Sequence, residues 1–131
     1  MQGRTPTKPQ REFHNALAGL GCVACRQEGK VNKAVSIHHI EGRTKFEAHW
    51  LVLPLCASHH QDDGTKVAVH PFRARFEQLY GTQYTLLAKC VTLLKKRDHS
   101  REMDETLQIV DSYVQARQDT PAHGSSKVLP R

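Results

Sequence analysis

Apolar side chains recur at helical spacing near both ends of the chain. Phe13, Leu17 and Leu20 predict a first helix over about residues 9–20, which glycines at 19 and 21 would end. Three more helices are predicted in the second half, with apolar residues in the segments 72–80, 86–94 and 103–114. Pro71 suits the first position of the earliest of these, because its ring already fixes a helical φ.

The middle of the chain carries two short segments typical of β-strands. The first is rich in β-branched residues and is expected to end at His38 and His39. The second covers about residues 50–55, where Pro54 permits only an edge strand or an extended lead-in. A short helix is then expected to begin at Cys56. This order of two strands and a helix, with further helices on either side, predicts an α+β fold.

Length and composition predict one domain with loose ends. The chain has 131 residues, of which 38% are hydrophobic and 6% aromatic, so the core is expected to be small and to benefit from a structural metal. Residues 1–10 are predicted to form a flexible basic arm and residues 11–118 the folded domain with its C-terminal helices. Residues 119–131 hold Pro, Gly and Ser with few apolar side chains and are predicted to be disordered.

The net charge predicts the kind of partner, and the lack of targeting signals predicts the cellular compartment. The formal net charge is +6, which favours a polyanionic partner such as nucleic acid. The first residues lack the apolar stretch of a signal peptide, and no apolar run is long enough to span a membrane. We therefore expect a cytoplasmic protein without membrane contact, whose cysteines stay reduced and favour metal binding over disulfides.

Metal-ligand residues are concentrated in the middle of the chain. Six of the nine histidines and three of the four cysteines lie between positions 22 and 70. Two pairs have the same three-residue spacing and can grip one ion from two sides. We predict that they form a closed structural zinc site joining two distant segments: Cys22, Cys25, Cys56 and His59.

The adjacent histidines His38 and His39 are predicted to have different roles. Neighbouring strand side chains point to opposite faces, so the two rings are not expected to share one ion in one role. One would bind a metal, and the other would handle a proton or a phosphate. His60 should point away from the structural zinc and could meet His38 at a second, open metal site. His49 and His70 lie within plausible reach, but spacing does not fix their roles.

Two other interpretations use the same residues. A non-catalytic, zinc-stabilised DNA-binding protein would need the Cys/His quartet and the basic charge, but no open metal site. A thiol redox or metal-sensing protein would be built on Cys22 and Cys25 alone, which leaves the second pair, Cys56 and His59, without a purpose.

Longer segments of the chain resemble a known protein family. The order Cys-x-x-Cys, His-His and Leu-Cys-x-x-His-His resembles the HNH, or ββα-metal, endonuclease motif with its zinc knuckle. The string GCVACRQEGKVNKAVSIHHIEGRTKFEAHWLVLPLCASHH and the later FEQLYGTQYTLL are similar to the Ref family of phage recombination-enhancement nucleases. The resemblance covers about residues 11–95. It implies a zinc-stabilised ββα-metal core and a RecA-dependent HNH endonuclease that cuts DNA where a RecA filament directs it.

The resemblance also implies roles for single residues. His38 and His60 match metal ligands, and His39 matches the general base. The middle Asn of the HNH motif has no Asn counterpart, and His49 is the nearest polar candidate, either to support the base or to bind metal. His70 is implied as a third ligand. The implied cofactors are Zn²⁺ in the closed site and Mg²⁺, Mn²⁺ or Zn²⁺ in the open one.

DNA contacts are expected from two basic segments. Arg43 and Lys45 follow the histidine pair and are well placed to touch phosphates, which gives affinity without sequence readout. The best-known members of the family carry a long basic N-terminal extension that binds DNA. Only about ten residues precede the first predicted helix here, and Arg4, Lys8 and Arg11 are the candidates for an equivalent arm.

Overall fold

The computed structural model describes residues 3–119. Within this range, six helices and one two-stranded antiparallel sheet give the α+β class that the sequence predicts. Their bounds in chain order are α1 Lys8–Leu20, α2 Val23–Gln27, β1 Val35–His39, a 3₁₀ turn Ala48–Trp50, β2 Val52–Cys56, α3 Ala57–His60, α4 Arg73–Tyr80, α5 Gln83–Arg97 and α6 Arg101–Asp119. Apart from Asp119 at the end of α6, the predicted disordered tail lies outside the described residues.

The N-terminal segment is shorter than the predicted arm and is docked. Thr7 caps α1 by accepting the backbone N–H of Gln10, so helix begins at Lys8 and the arm ends at residue 7. The backbone N–H of Arg4 donates to the carbonyl of Arg43 at 2.9 Å. The described part of the predicted flexible arm therefore lies against the loop that joins the strands.

The two strands form a hairpin-like pair at the centre of the fold. Strand β1 pairs antiparallel with β2, with Ile37 opposite Pro54 and His39 opposite Val52. Each strand has a free edge because the sheet has only two strands, which is where the missing N–H of Pro54 is tolerated. Every residue of β2 is buried, and α3 follows it directly with Cys56 as its N-cap.

The predicted start of α4 is wrong by two residues. The helix begins at Arg73, not at Pro71. The chain before it runs beside α3, where the N–H of Val69 donates to the carbonyl of His59 and that of His70 to the carbonyl of His60. These bonds keep the backbone extended through His70 and delay the helix.

Helices from both ends of the chain enclose the sheet. Phe13 and Leu17 of α1, Leu86 of α5 and Leu107 of α6 are fully buried in one core. Cys90 is buried there too, as an apolar side chain of α5. Among residues 3–119, no helix combines the length and apolar character needed to cross a bilayer.

Candidate metal centres

Four buried ligand atoms meet at the junction of α2 and α3. Nδ1 of His59 lies 3.5 Å from Sγ of Cys22, 3.6 Å from Sγ of Cys25 and 3.3 Å from Sγ of Cys56. The Cys25 and Cys56 sulfurs are 3.8 Å apart. A zinc tetrahedron with Zn–S near 2.3 Å and Zn–N near 2.0 Å has edges of about 3.8 Å and 3.5 Å. These four separations are compatible with a metal ion such as zinc bound by the quartet.

Electrostatics and hydrogen bonds around the quartet suit a cation. Burial raises the pKa of Cys22 to about 12, because the thiolate would lie in an apolar environment without a compensating positive charge. The Tyr80 hydroxyl donates to the Glu28 carboxylate and accepts from Nε2–H of His59, which leaves Nδ1 of His59 facing the sulfurs. A metal ion would supply the missing charge, and this hydrogen-bond chain fixes the tautomer that binds it.

The bend before the Cys22–Cys25 pair depends on a glycine. Gly21 ends α1 with φ 86°, a left-handed conformation, and a Cβ there would lie 2.8 Å from the carbonyl of Asn32. The next N–H, that of Cys22, donates to the same carbonyl at 2.7 Å. The close approach made possible by Gly21 thus sets the position of the first two sulfurs.

A second cluster consists of the imidazoles of His38, His60 and His70. Their ring centroids are separated by 5.1–5.5 Å, and one ring nitrogen of each lies within 4.8 Å of the others. His38 is buried, while His60 is half-buried and His70 is exposed. The three rings line a cleft together with His39 and Arg43. Three imidazoles at the edge of a cleft can hold a divalent cation and leave coordination positions open to a ligand.

Two polar neighbours orient the rings of this cluster. The Gln83 amide nitrogen donates to the Glu77 carboxylate at 3.1 Å, which turns the amide oxygen towards His38. Nε2–H of His38 donates to that oxygen at 2.7 Å, so Nδ1 is the nitrogen left for a metal. Ser36 is hydrogen-bonded to Nδ1 of His60 at 3.0 Å, which leaves Nε2 of that ring. Hydrogen bonds of this kind hold metal-binding histidines in place.

The neighbouring His39 lies on the opposite face of β1, in a third group with His49 and His14. Nε2 of His49 is 2.6 Å from the carbonyl of Arg4, which can only accept, so this nitrogen carries the proton. Nδ1 of His49 is then an acceptor, and Nε2–H of His39 donates to it at 2.9 Å. The remaining nitrogen of His39, Nδ1, is unprotonated. It is buried and has no hydrogen-bond partner among residues 3–119.

Burial shifts both strand histidines towards their neutral forms. Desolvation lowers the pKa of His38 to about 4, against the hydrogen bond to Gln83, which raises it. Desolvation also lowers the pKa of His39 to about 4, and the positive charge of Arg43 acts in the same direction. Both rings are therefore neutral at pH 7, the form required of a metal ligand and of a proton acceptor.

The predicted DNA-contact residues are all exposed. Arg43 lines the cleft, and Lys45 forms a 3.0 Å ion pair with Glu41 on the same loop. Nε–H of Arg4 donates to the carbonyl of Thr44, which holds this arginine on the loop. Arg11 donates to the carbonyl of Pro6, and Lys8 starts α1.

Sequence reasoning missed two residues of these clusters. His14 lies in α1, where its helical position gave no metal-ligand spacing, yet its Nε2 is 2.7 Å from the carbonyl of His49. Gln83 is 45 residues from His38 along the chain, and an amide is not a usual zinc ligand. The only sequence signal for Gln83 is its place in the YGTQ segment.

A comparison with protein families returns a match over most of the chain. The family model is described as "Recombination enhancement, RecA-dependent nuclease" and matches residues 6–95. The matched range contains the Cys/His quartet and both histidine clusters. It ends before α6 begins.

Proposed function

The chain belongs to the family of recombination-enhancement, RecA-dependent nucleases, and from this premise we propose that it is a metal-dependent DNA endonuclease of the HNH type. One observation carries the proposal: two adjacent strand histidines serve two different clusters. His38 joins a three-imidazole group at the cleft, and His39, which also lines the cleft, has a buried Nδ1 without a hydrogen-bond partner among the described residues. A hydrolase that cuts phosphodiesters needs one group to bind a cation and another to accept a proton.

In this proposal His38, His60 and His70 hold the working cation. The candidates are Mg²⁺, Mn²⁺ and Zn²⁺, each of which supplies charge stabilisation at the scissile phosphate. Gln83 fixes the ring of His38 through its amide oxygen, and Ser36 fixes that of His60. The sequence left His49 open as an additional ligand. Its ring lies with His39 and not with this cluster, so we assign it no place at the working cation.

His39 is the proposed general base, acting through Nδ1. The lowered pKa keeps the ring neutral at pH 7, and the hydrogen bond from Nε2–H to His49 keeps the proton off Nδ1. His49 therefore does for the base what the middle Asn of the HNH motif does in its relatives. Because Nδ1 is buried, the attacking water must reach it from the cleft that His39 lines.

DNA is held in this proposal by the basic loop and by the docked N-terminal segment. Arg43 borders the cleft and would meet the phosphate next to the scissile bond. Arg4 is attached to the same loop, while Lys45, Lys8 and Arg11 extend the positive surface. Such backbone contacts bring no sequence preference, so a RecA filament would choose the site.

The testing experiment is cleavage of supercoiled plasmid in Mg²⁺ or Mn²⁺. RecA is present or absent, with or without a matching oligonucleotide. We expect cleavage by the wild type in the complete reaction, and a loss of about 10²–10⁴-fold in His39→Ala because the base is gone. His99→Ala removes an exposed histidine outside all three clusters and serves as the matched control.

His39→Ala should keep the zinc bound by the Cys/His quartet and the circular dichroism spectrum of the wild type, since His39 is not part of the quartet. Full activity of His39→Ala would remove this residue from the mechanism. Tight DNA binding by a wild type that never cleaves would instead favour a zinc-stabilised DNA-binding protein.

A further inference from the structure

The third histidine group has the dimensions of a metal site. His14 comes from α1, His39 from β1 and His49 from the 3₁₀ turn, and one ring nitrogen of each lies within 4.8 Å of the others. Ring centroids are 5.9 Å apart for His14 and His39, 5.7 Å for His14 and His49, and 4.9 Å for His39 and His49. These spacings are close to those of the cluster at the cleft.

Two of the three rings are held as metal-binding histidines usually are. Nε2–H of His49 donates to the carbonyl of Arg4, and Nε2–H of His14 donates to the carbonyl of His49. A carbonyl oxygen accepts but never donates, so both rings keep their proton on Nε2 and leave Nδ1 unprotonated. A backbone carbonyl that holds the distal N–H is a common support for a ligand histidine.

The third ring supplies its nitrogen by giving up a hydrogen bond. Nε2 of His39 faces Nδ1 of His49 at 2.9 Å and shares one proton with it. Two ligands of a tetrahedral zinc are about 3.3 Å apart. For an ion to replace the shared proton, the distance between these two nitrogens therefore has to increase by only a few tenths of an ångström.

We propose that His14, His39 and His49 form a separate inhibitory site for Zn²⁺. Imidazole ligands favour zinc-like ions over Mg²⁺ and Mn²⁺. When Nε2 of His39 binds the ion, the ring proton moves to Nδ1, and the ring stays neutral with no net proton released. Nδ1 then donates instead of accepting. The inhibitory role rests on the proposed function, because it assumes that His39 is the general base. Zinc binding by the three histidines does not depend on that assumption.

The first test counts zinc. Wild type, His14→Gln and His99→Gln are equilibrated with buffered free Zn²⁺ at rising concentrations, and bound zinc per chain is measured by mass spectrometry. The amide introduced by His14→Gln retains an N–H that can donate to the carbonyl of His49, so the fold should hold, and circular dichroism checks it. We expect His14→Gln to saturate with one zinc fewer than the wild type and His99→Gln. Equal stoichiometry in all three proteins would overturn the proposal.

The second test follows His39 in the wild type, so it does not depend on any variant folding. In ¹⁵N-histidine-labelled protein, Zn²⁺ should move the Nδ1 resonance of His39 from the position of a bare ring nitrogen to that of a protonated one. An unmoved resonance at saturating zinc would refute the tautomer exchange.

Plasmid cleavage in Mg²⁺ separates failure of this proposal from failure of the proposed function. Each protein's rate at high free zinc is divided by its own rate at low free zinc. We expect a smaller ratio for the wild type and His99→Gln than for His14→Gln. Equal ratios in active proteins would refute the inhibitory role alone. Absence of cleavage under every condition would refute the proposed function while the zinc count still decides the metal site.

Discussion

At the level of single residues, backbone carbonyls and amides decide what each imidazole can do. Gln83 is held by Glu77 and receives Nε2–H of His38, while the carbonyl of Arg4 receives Nε2–H of His49. Both rings keep Nδ1 free, whereas the hydrogen bond between Ser36 and Nδ1 of His60 leaves Nε2 of that ring. The assignment of a ligand role to His38 and a base role to His39 follows from these partners as much as from their positions in the sequence.

Replacing Gln83 tests this view of His38. Gln83→Leu has a similar size but leaves Nε2–H of His38 unpaired in a buried place and its ring unoriented. We expect the affinity for the exchangeable cation to fall by about 10–100-fold, as for other supporting partners of metal ligands. A Mn²⁺ titration measures it. Gln78→Leu, on the exposed face of α4, is the control, and equal affinities in the two variants would contradict the role of Gln83.

The residues that sequence reasoning found and missed differ in a physical way. The Cys/His quartet has a regular spacing that the structure brings together at metal-compatible distances. The ring of His14 meets His49 from 35 residues away, and nothing in the spacing of α1 distinguishes it from a surface histidine. Contacts between distant segments depend on packing, which no local pattern records.

At the level of elements, the strand pair does most of the positioning. The alternation of β1 sends His38 and His39 to opposite faces, as predicted from strand geometry. Helix α6 stabilises the loop that follows β1. Its Arg117 donates to both oxygens of Glu41 and to Glu47, and Tyr84 of α5 also donates to Glu41. A helix beyond the family match therefore supports the loop that carries Arg43.

Stability measurements at two pH values test the Arg117 contact. The hydrogen bonds from Arg117 lower the pKa of Glu41 to about 2, so the contact stabilises the fold fully above the unfolded value near 4.5. This contribution is lost as the pH falls from about 4.5 towards 2. We expect Arg117→Gln to lower the free energy of unfolding by about 1–2 kcal/mol at pH 7, because the pair is only partly buried.

The difference from the wild type should shrink when urea unfolding is repeated below pH 4. Both proteins keep the same Cys/His quartet, so loss of any bound ion at low pH would affect them alike. Arg101→Gln breaks an exposed pair with Glu105 and should change little at either pH. A constant Arg117→Gln deficit down to pH 3 would contradict the link to Glu41.

The predicted elements were less accurate at their ends than in their type. The long helices were expected from apolar spacing, and the strand pair and the short helix after β2 from other features of the sequence. The start of α4 was not, because hydrogen bonds between the chain before His70 and α3 leave no mark on that spacing. Phe72 and Leu79, expected on the apolar face of that helix, are exposed.

At the level of the whole molecule, the quartet and the two histidine clusters share one small sheet. The quartet ties α2 to α3 and so fixes the strand pair between them, which carries His38 and His39. In a chain of this size, metal binding contributes directly to folding. An ion bound by the quartet would therefore set the geometry on which the proposed chemistry depends. The docked segment contributes on the side of His39, because the carbonyl of Arg4 accepts the hydrogen bond from His49.

The central claim is that the two neighbouring histidines do different work, and binding of Mn²⁺ to His38→Ala and His39→Ala tests it most directly. Exchangeable Mn²⁺ is measured by electron paramagnetic resonance, with RecA-directed cleavage assayed on the same samples. We predict that both variants lose cleavage, that His38→Ala also loses Mn²⁺, and that His39→Ala binds it as the wild type does. Loss of Mn²⁺ in both variants, or in neither, would contradict the division of labour.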